Sequence, residues 1–194
     1  MRTRRVVTAI LIGTLVTGGC ARPGPPAGSV APTGAPVAVA VTPRAGFGPT
    51  DIAWVELMIP MTEQALRLAG LAGDRAADPA MRRLAGRIGD GQKAELVHLR
   101  RLLLMSGMPY TDPHQGHDMP GMATPGEFKV IERASGDVFG RLYTRTMREN
   151  LAQAAHVARG EQASGTHPEA RALAGAVERS RTAQLAELER LTGR

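Results

Sequence analysis

Cysteine occurs once in these 194 residues, at Cys20, which excludes an intramolecular disulfide and a thiol redox pair. Lysine occurs only at Lys93 and Lys129, so arginine supplies almost all of the positive charge. Aromatics make up 3% of the chain and form no run; with arginines spread along the sequence, that composition argues against a nucleic-acid surface. The apolar run Val6–Val16 is too short to span a bilayer. No stretch alternates polar and apolar residues with period two, which leaves an all-α chain. There is no phosphate loop, no Glu-x-x-His helix of the di-iron type, and no nucleophile spaced to meet a base. The expectation is a protein that is not an enzyme.

What the ends do contain is a sorting address. Arg2, Arg4 and Arg5 head the apolar run, and Thr17-Gly18-Gly19 supplies small residues before Cys20. This resembles a bacterial lipoprotein signal over residues 1–19, although Thr17 stands where leucine is usual. The resemblance implies that Cys20 is lipidated and holds the chain on the extracytoplasmic face of the cell membrane. The alternative is an ordinary cleaved signal with an incidental cysteine. Residues 20–47 are rich in Ala, Pro, Gly and Val, with six prolines from Pro23 to Pro43, and read as a disordered tether. Removing the three arginines of the basic head leaves +3 of the formal +6, a mildly basic solvated surface. Residues 48–194 remain, enough chain for one core. The membrane is then the expected partner, through the lipidated end; nothing names a protein partner.

Within that domain the chain repeats itself at an offset of 89 residues without gaps. Met58 falls on Met147, Gln64 on Gln153, Ala65 on Ala154 and Ala69 on Ala158. The register continues through Pro79 on Pro168 and Leu84-Ala85-Gly86 on Leu173-Ala174-Gly175, and ends with Leu99 on Leu188 and Leu102 on Leu191. Two helical hairpins, 51–106 and 137–192, can close one four-helix core, joined by a Met/His loop at 107–124. Thr50, Asp78-Pro79 and Thr166-His167-Pro168 read as helix starts, and Thr124-Pro125-Gly126-Glu127 as a capping box opening a short helix that leads to Gly136. Gly70 to Gly73, Gly107-Met108-Pro109 and Gly160 to Gly165 read as stops.

Alternate steps of four and three along the second helix pick out Met81, Ala85, Ile88, Gln92, Glu95, Leu99 and Leu102. The second copy repeats this as Ala170, Ala174, Val177, Arg181, Gln184, Leu188 and Leu191. Polar residues thus fall at the middle of both seams. Either they form a buried polar set, with a ligand or with each other, or they lie at the seam's edge and reach water.

Several of these residues resemble a known family. Asp51-x-x-Trp54-x-x-x-Met58-Ile59-Pro60 followed by Gln64-Ala65 looks like the first motif of the domain of unknown function 305 family. Gln92-x-x-Glu95-Leu96, the segment His117 to Pro125 and Gly136-Asp137-Val138-Phe139 are similar to its later motifs. The resemblance implies a ferritin-like, extracytoplasmic four-helix bundle, and some members are implicated in copper binding. Members usually carry a His-His pair after the Met-Ile-Pro motif and again in the second copy. Here those positions hold Met61-Thr62 and Asn150-Leu151. A divalent site of the family type lacks its nitrogen ligands, and Glu95 alone cannot hold a transition metal. Arg181 is expected to stand in for the lost cation by pairing with Glu95, since a lone buried carboxylate is costly.

Outside the bundle core, Met105, Met108, His114, His117, Met119 and Met122 gather in a loop rich in Pro and Gly. Thioether and imidazole suit Cu(I), so Met108, His114, His117, Met119 and Met122 are the candidate ligands and copper the candidate cofactor. The competing reading is packing, with methionines filling gaps over the open end of the bundle. His98, His156 and His167 sit singly, in surface or cap positions. The expected function is therefore a tethered ferritin-like domain with weak soft-metal binding in the loop, or a structural or protein-interaction module whose metal site has eroded.

Overall fold

In the computed structural model, which describes Arg44 and residues 46–193, five helices account for most of the chain: α1 (Pro49–Arg75), α2 (Pro79–Ser106), α3 (Pro125–Arg133), α4 (Gly136–Ser164) and α5 (Pro168–Thr192). There are no strands among the described residues. Residues 1–43, with the signal, Cys20 and most of the tether, lie outside this description.

The four long helices form a square in which α1 adjoins α2 and α4, and α5 adjoins α4 and α2. Neighbours are antiparallel. Asp51, in the first turn of α1, bonds Thr166 beyond the end of α4, and Arg101 near the end of α2 lies 3.9 Å from Glu169 in the first turn of α5. α2 and α4 therefore sit on a diagonal and run the same way, so the chain must climb the length of the bundle between them. That is why residues 107–135 are long. The crossover, including α3, lies over the α1/α4 groove: Gln64 pairs with Ala123, Asn150 with Gly121 and Arg67 with Glu132, and the Arg67 guanidinium stacks 3.9 Å above the Phe128 ring.

The core is divided in two. One cluster gathers Trp54, Met58, Met61, Leu99 and Val177; the other gathers Leu68, Ile88, Phe139, Tyr143, Met147 and Leu188. All seven α2 seam residues, Met81 to Leu102, are buried. On α5, Ala170, Ala174, Val177, Arg181 and Leu188 are buried, while Gln184 and Leu191 are half-buried. The polar residues Thr62, Gln92, Glu95 and Arg181 fall between the two apolar clusters.

Helix ends follow their local chemistry, with instructive departures. Asp78 caps α2 by accepting from Ala80 N at 2.8 Å, and Thr124 and Glu127 form a reciprocal box at α3. α2 ends at Gly107, whose left-handed φ of 71° suits glycine. The start expected at Thr50 lies two residues earlier: Gly48 is the N-cap, because the Asp51 carboxylate takes its N–H at 2.6 Å. His167 caps α5 without a side-chain bond, since Asp51 takes its N–H as well. Gly70, Gly73 and Gly160 do not stop their helices. Glycine costs only about 1 kcal/mol in a helix, and none of the three adopts the left-handed φ that would end one.

Candidate functional site

Glu95 is the hub of the central polar layer. Its Oε1 accepts from Arg181 Nη2 at 2.6 Å and from Thr62 Oγ1 at 3.0 Å, so one oxygen links α1, α2 and α5. The side chains of Arg181 and Glu95 are only 2% and 8% exposed. Burial pushes the Arg181 pKa down, and the adjacent carboxylate opposes that shift. Gln92 is buried, and neither atom of its amide, nor Arg181 Nε, nor Gln184 Oε1, has a partner among the described residues. The Gln184 amide nitrogen donates to Ser180 Oγ at 3.1 Å. Subtracting the repeat offset, Arg181 corresponds to Gln92 and Gln184 to Glu95. One side of the layer is thus ionic and the other is built of amides.

The crossover meets the bundle at mid-height. Gln64 and Ala123 exchange two hydrogen bonds, at 2.8 and 2.7 Å, as two strands would. Asn150 Nδ2 donates both to Met61 O at 3.2 Å and to Gly121 O at 3.1 Å. Gly121 has φ 76°, and a Cβ there would collide with Gln153 Cβ and crowd Glu149 O. The segment Met119 to Met122 therefore covers the side of the bundle, over Met61 and Asn150, rather than its open end. Met108 and Met122 pack, half-buried, against the cluster that contains Met58 and Met61. Met119 and His114 are half-buried and His117 is exposed; His117 N donates to His114 O at 3.0 Å in a turn. No three His, Cys, Asp or Glu side chains among the described residues are placed to share a metal ion. A metal held by this loop would need its thioethers.

A third polar centre closes one end of the bundle. Asp51, fully buried, accepts from Gly48 N at 2.6 Å, Thr166 Oγ1 at 2.7 Å, Thr166 N at 3.0 Å and His167 N at 3.0 Å. Burial alone would raise its pKa, but those four donors outweigh it and hold the carboxyl well below the usual range. Glu161, 1% exposed, shows the opposite behaviour: burial and the Asp51 charge push it up to about 8. The pair is a carboxylate with a neutral acid beside it. The His167 ring stacks on Phe47, with centroids 3.8 Å apart. The sequence motif includes Asp51 but shows nothing of this staple. The available signal was a break in the repeat, because residue 140, the counterpart of Asp51, is glycine.

A family model described as a domain of unknown function, DUF305, matches residues 51–192. The chain belongs to the DUF305 family. Its fold matches the crystal structure of a DUF305 fragment from Deinococcus radiodurans at 22% identity and a TM-score of 0.68, over 76% of this chain and 97% of that one. A DUF305 protein from Streptomyces coelicolor matches at 24% identity and 0.66, over 73% and 91%. CopM in its Cu(I)-bound form matches at 20% identity and 0.62, over 73% and 94%. Likenesses at these identities establish the fold. No curated protein matches significantly.

In this DUF305 chain Met61, Thr62, Asn150 and Leu151, the positions where the sequence resemblance implies imidazoles in other members, are all buried. The Asn150 amide is taken up by two carbonyls, and Glu95 already faces a guanidinium. A cation at the bundle centre would meet Arg181 rather than a free carboxylate, so that centre does not fit a metal. The loop's donor set does fit a soft one: thioethers and imidazoles without competing thiols. No described helix is long and apolar enough to cross a membrane.

Proposed function

We propose that this DUF305 protein is a non-enzymatic, extracytoplasmic lipoprotein, anchored through Cys20, that binds Cu(I) weakly through Met108, His114, His117, Met119 and Met122. The observation that carries the reading is the clamp on the crossover. Gln64 and Asn150 fix Gly121 to Ala123 against α1 and α4, which holds the flanking Met119 and Met122 half-buried at the surface. CopM, of like fold, is a copper-bound protein, and the Streptomyces relative is designated a secreted protein. The bundle serves as a rigid support, its own centre neutralised by Arg181.

The test is competitive titration with Cu(I) against a chromogenic chelator. Saturable binding that disappears when His114, His117, Met119 and Met122 are replaced by alanine is the expected result. Binding no stronger than that of an unrelated helical bundle would instead favour a structural or protein-interaction module, the reading to which the Arg181–Glu95 pair lends weight. Incorporation of labelled fatty acid, abolished in Cys20→Ala, checks the anchor.

A further inference from the structure

At the end of the bundle opposite Asp51, the α1–α2 turn, the start of α4 and the end of α5 enclose a groove of about 710 Å³. Its existence follows from the broken repeat. At the first end Asp51 fills the space between α1 and the α4–α5 turn. At the second, its counterpart Gly140 has nothing within 4 Å of where a Cβ would stand. We propose that this groove is a binding site for a small amphipathic carboxylate, an apolar chain or ring carrying one terminal acid.

Three observations select that class. The floor is apolar, built from Met81, Phe139, Tyr143 and Leu191, and its volume lies in the usual range for small-molecule pockets. The rim carries Arg75, Arg141, Arg145 and Arg148 against Asp78 and Asp137, a net positive mouth at the N-termini of α2 and α4. Arg145 and Arg148 have partial counter-charges in Glu149 at 3.8 Å and Glu189 at 4.0 Å, whereas Arg141 has no ion pair among the described residues. Finally, Tyr143 is 1% exposed and its hydroxyl has no partner among the described residues. Burial pushes its pKa far up, so it remains a donor in need of an acceptor. A carboxylate supplies the negative charge that the rim attracts and, once the ring shifts to uncover its hydroxyl, the acceptor that Tyr143 lacks, while the apolar body covers the floor. A neutral or cationic amphiphile supplies only part of this. The site uses none of the loop residues assigned to Cu(I).

The experiment is calorimetric titration of the purified full-length chain with 4-phenylbutyrate, and in parallel with the matched alcohol and amine. The acid is expected to bind saturably at one site, the alcohol at least about tenfold more weakly and the amine not at all. Tyr143→Phe should weaken the acid roughly tenfold, the loss of one hydrogen bond to a charged group. Gly140→Leu should abolish binding by filling the groove. It should also leave the melting temperature equal or higher, because leucine is the better helix former and its Cβ stands in open space at the groove. Absence of saturable binding, equal affinity for acid and amine, or binding that survives Gly140→Leu would each overturn the proposal.

Discussion

Residue 51 of the first hairpin is an aspartate; residue 140, its counterpart in the second, is a glycine. The same kind of divergence recurs at each height of the bundle. At the centre, Glu95 answers to Gln184 and Gln92 to Arg181. At the crossover, Gln64 grips Ala123 while its counterpart Gln153 packs beneath Gly121 and leaves no room for a Cβ. Backbone and apolar seam are common to both hairpins; the polar residues have been reassigned one by one. In each pair one member ties separate parts of the chain together, as Asp51, Glu95, Arg181 and Gln64 do, and its counterpart does not. The copies are therefore best compared by restoring the symmetry at one level at a time.

The centre should respond most. Glu95→Ala leaves the Arg181 guanidinium buried without its acceptor, and Arg181→Gln strips Glu95 of the cation it pairs with; each should cost about 3–5 kcal/mol. Combining Glu95→Gln with Arg181→Gln puts an amide at all four seam positions and makes the copies identical there. That double variant should lie within about 1–2 kcal/mol of the parent in urea unfolding, far better than either charge-stranding single change. If the effects of the two glutamine substitutions simply add, the ionic pair is not a unit and Glu95 is satisfied in some other way.

Next comes the Asp51 end. Asp51→Ala removes the acceptor for Gly48 N, Thr166 N, Thr166 Oγ1 and His167 N together, and makes that end resemble the open one. A loss of about 2–3 kcal/mol is expected, with faster amide exchange at residues 166–168. A loss under about 0.5 kcal/mol would mean that water replaces the carboxylate without penalty.

What could be read from the chain divides along similar lines. The hairpins, the seam and the α3 box were legible because each rests on spacing within about thirty residues or on a repeat. The Glu95 and Arg181 positions were legible for the same reason: two polar residues interrupt an otherwise apolar stripe. The Asp51 staple was not, since its partners lie 115 residues away and Thr166-His167-Pro168 looks like a self-contained cap. The glycines at 70, 73 and 160 misled because a glycine inside a helix costs only about 1 kcal/mol, too little to end it without a left-handed turn. The crossover's path could not be read either. It follows from α2 and α4 being parallel, a fact of tertiary arrangement that no local pattern records. The groove beside Gly140 is an absence, visible in sequence only when the two copies are compared.

A smaller effect should come from the clamp. Gly121→Ala must place a Cβ against Gln153 and hold an L-residue at φ 76°, while Gly116→Ala, at φ 81°, meets no neighbour. Both carry the backbone strain of about 1 kcal/mol, so the further loss in Gly121→Ala, on the order of 1 kcal/mol, isolates the packing of the crossover on α4. Hydrogen exchange at residues 119–123 should quicken only in Gly121→Ala. If both variants lose the same stability, the crossover is not seated on Gln153.

The gentlest test uses pH, because the Asp51 end titrates in two opposite senses. Asp51 has a depressed folded pKa, so its contribution is complete above the unfolded value near 4 and is lost as pH falls below it. Glu161 is raised from 4.5 to about 8: the folded chain keeps a proton that the unfolded chain has released. Between those two values stability must therefore decline as pH rises, by on the order of 1 kcal/mol or more. For this end of the bundle alone, the two slopes favour pH 4 to 5. Glu161→Gln keeps the size of the side chain and removes the titration, so its urea midpoint should stay level from pH 5 to 8 where the parent declines. The open end has Ala72 at the position corresponding to Glu161 and should contribute nothing in this window. A decline of the same size in parent and variant would place the proton elsewhere and separate Glu161 from the staple.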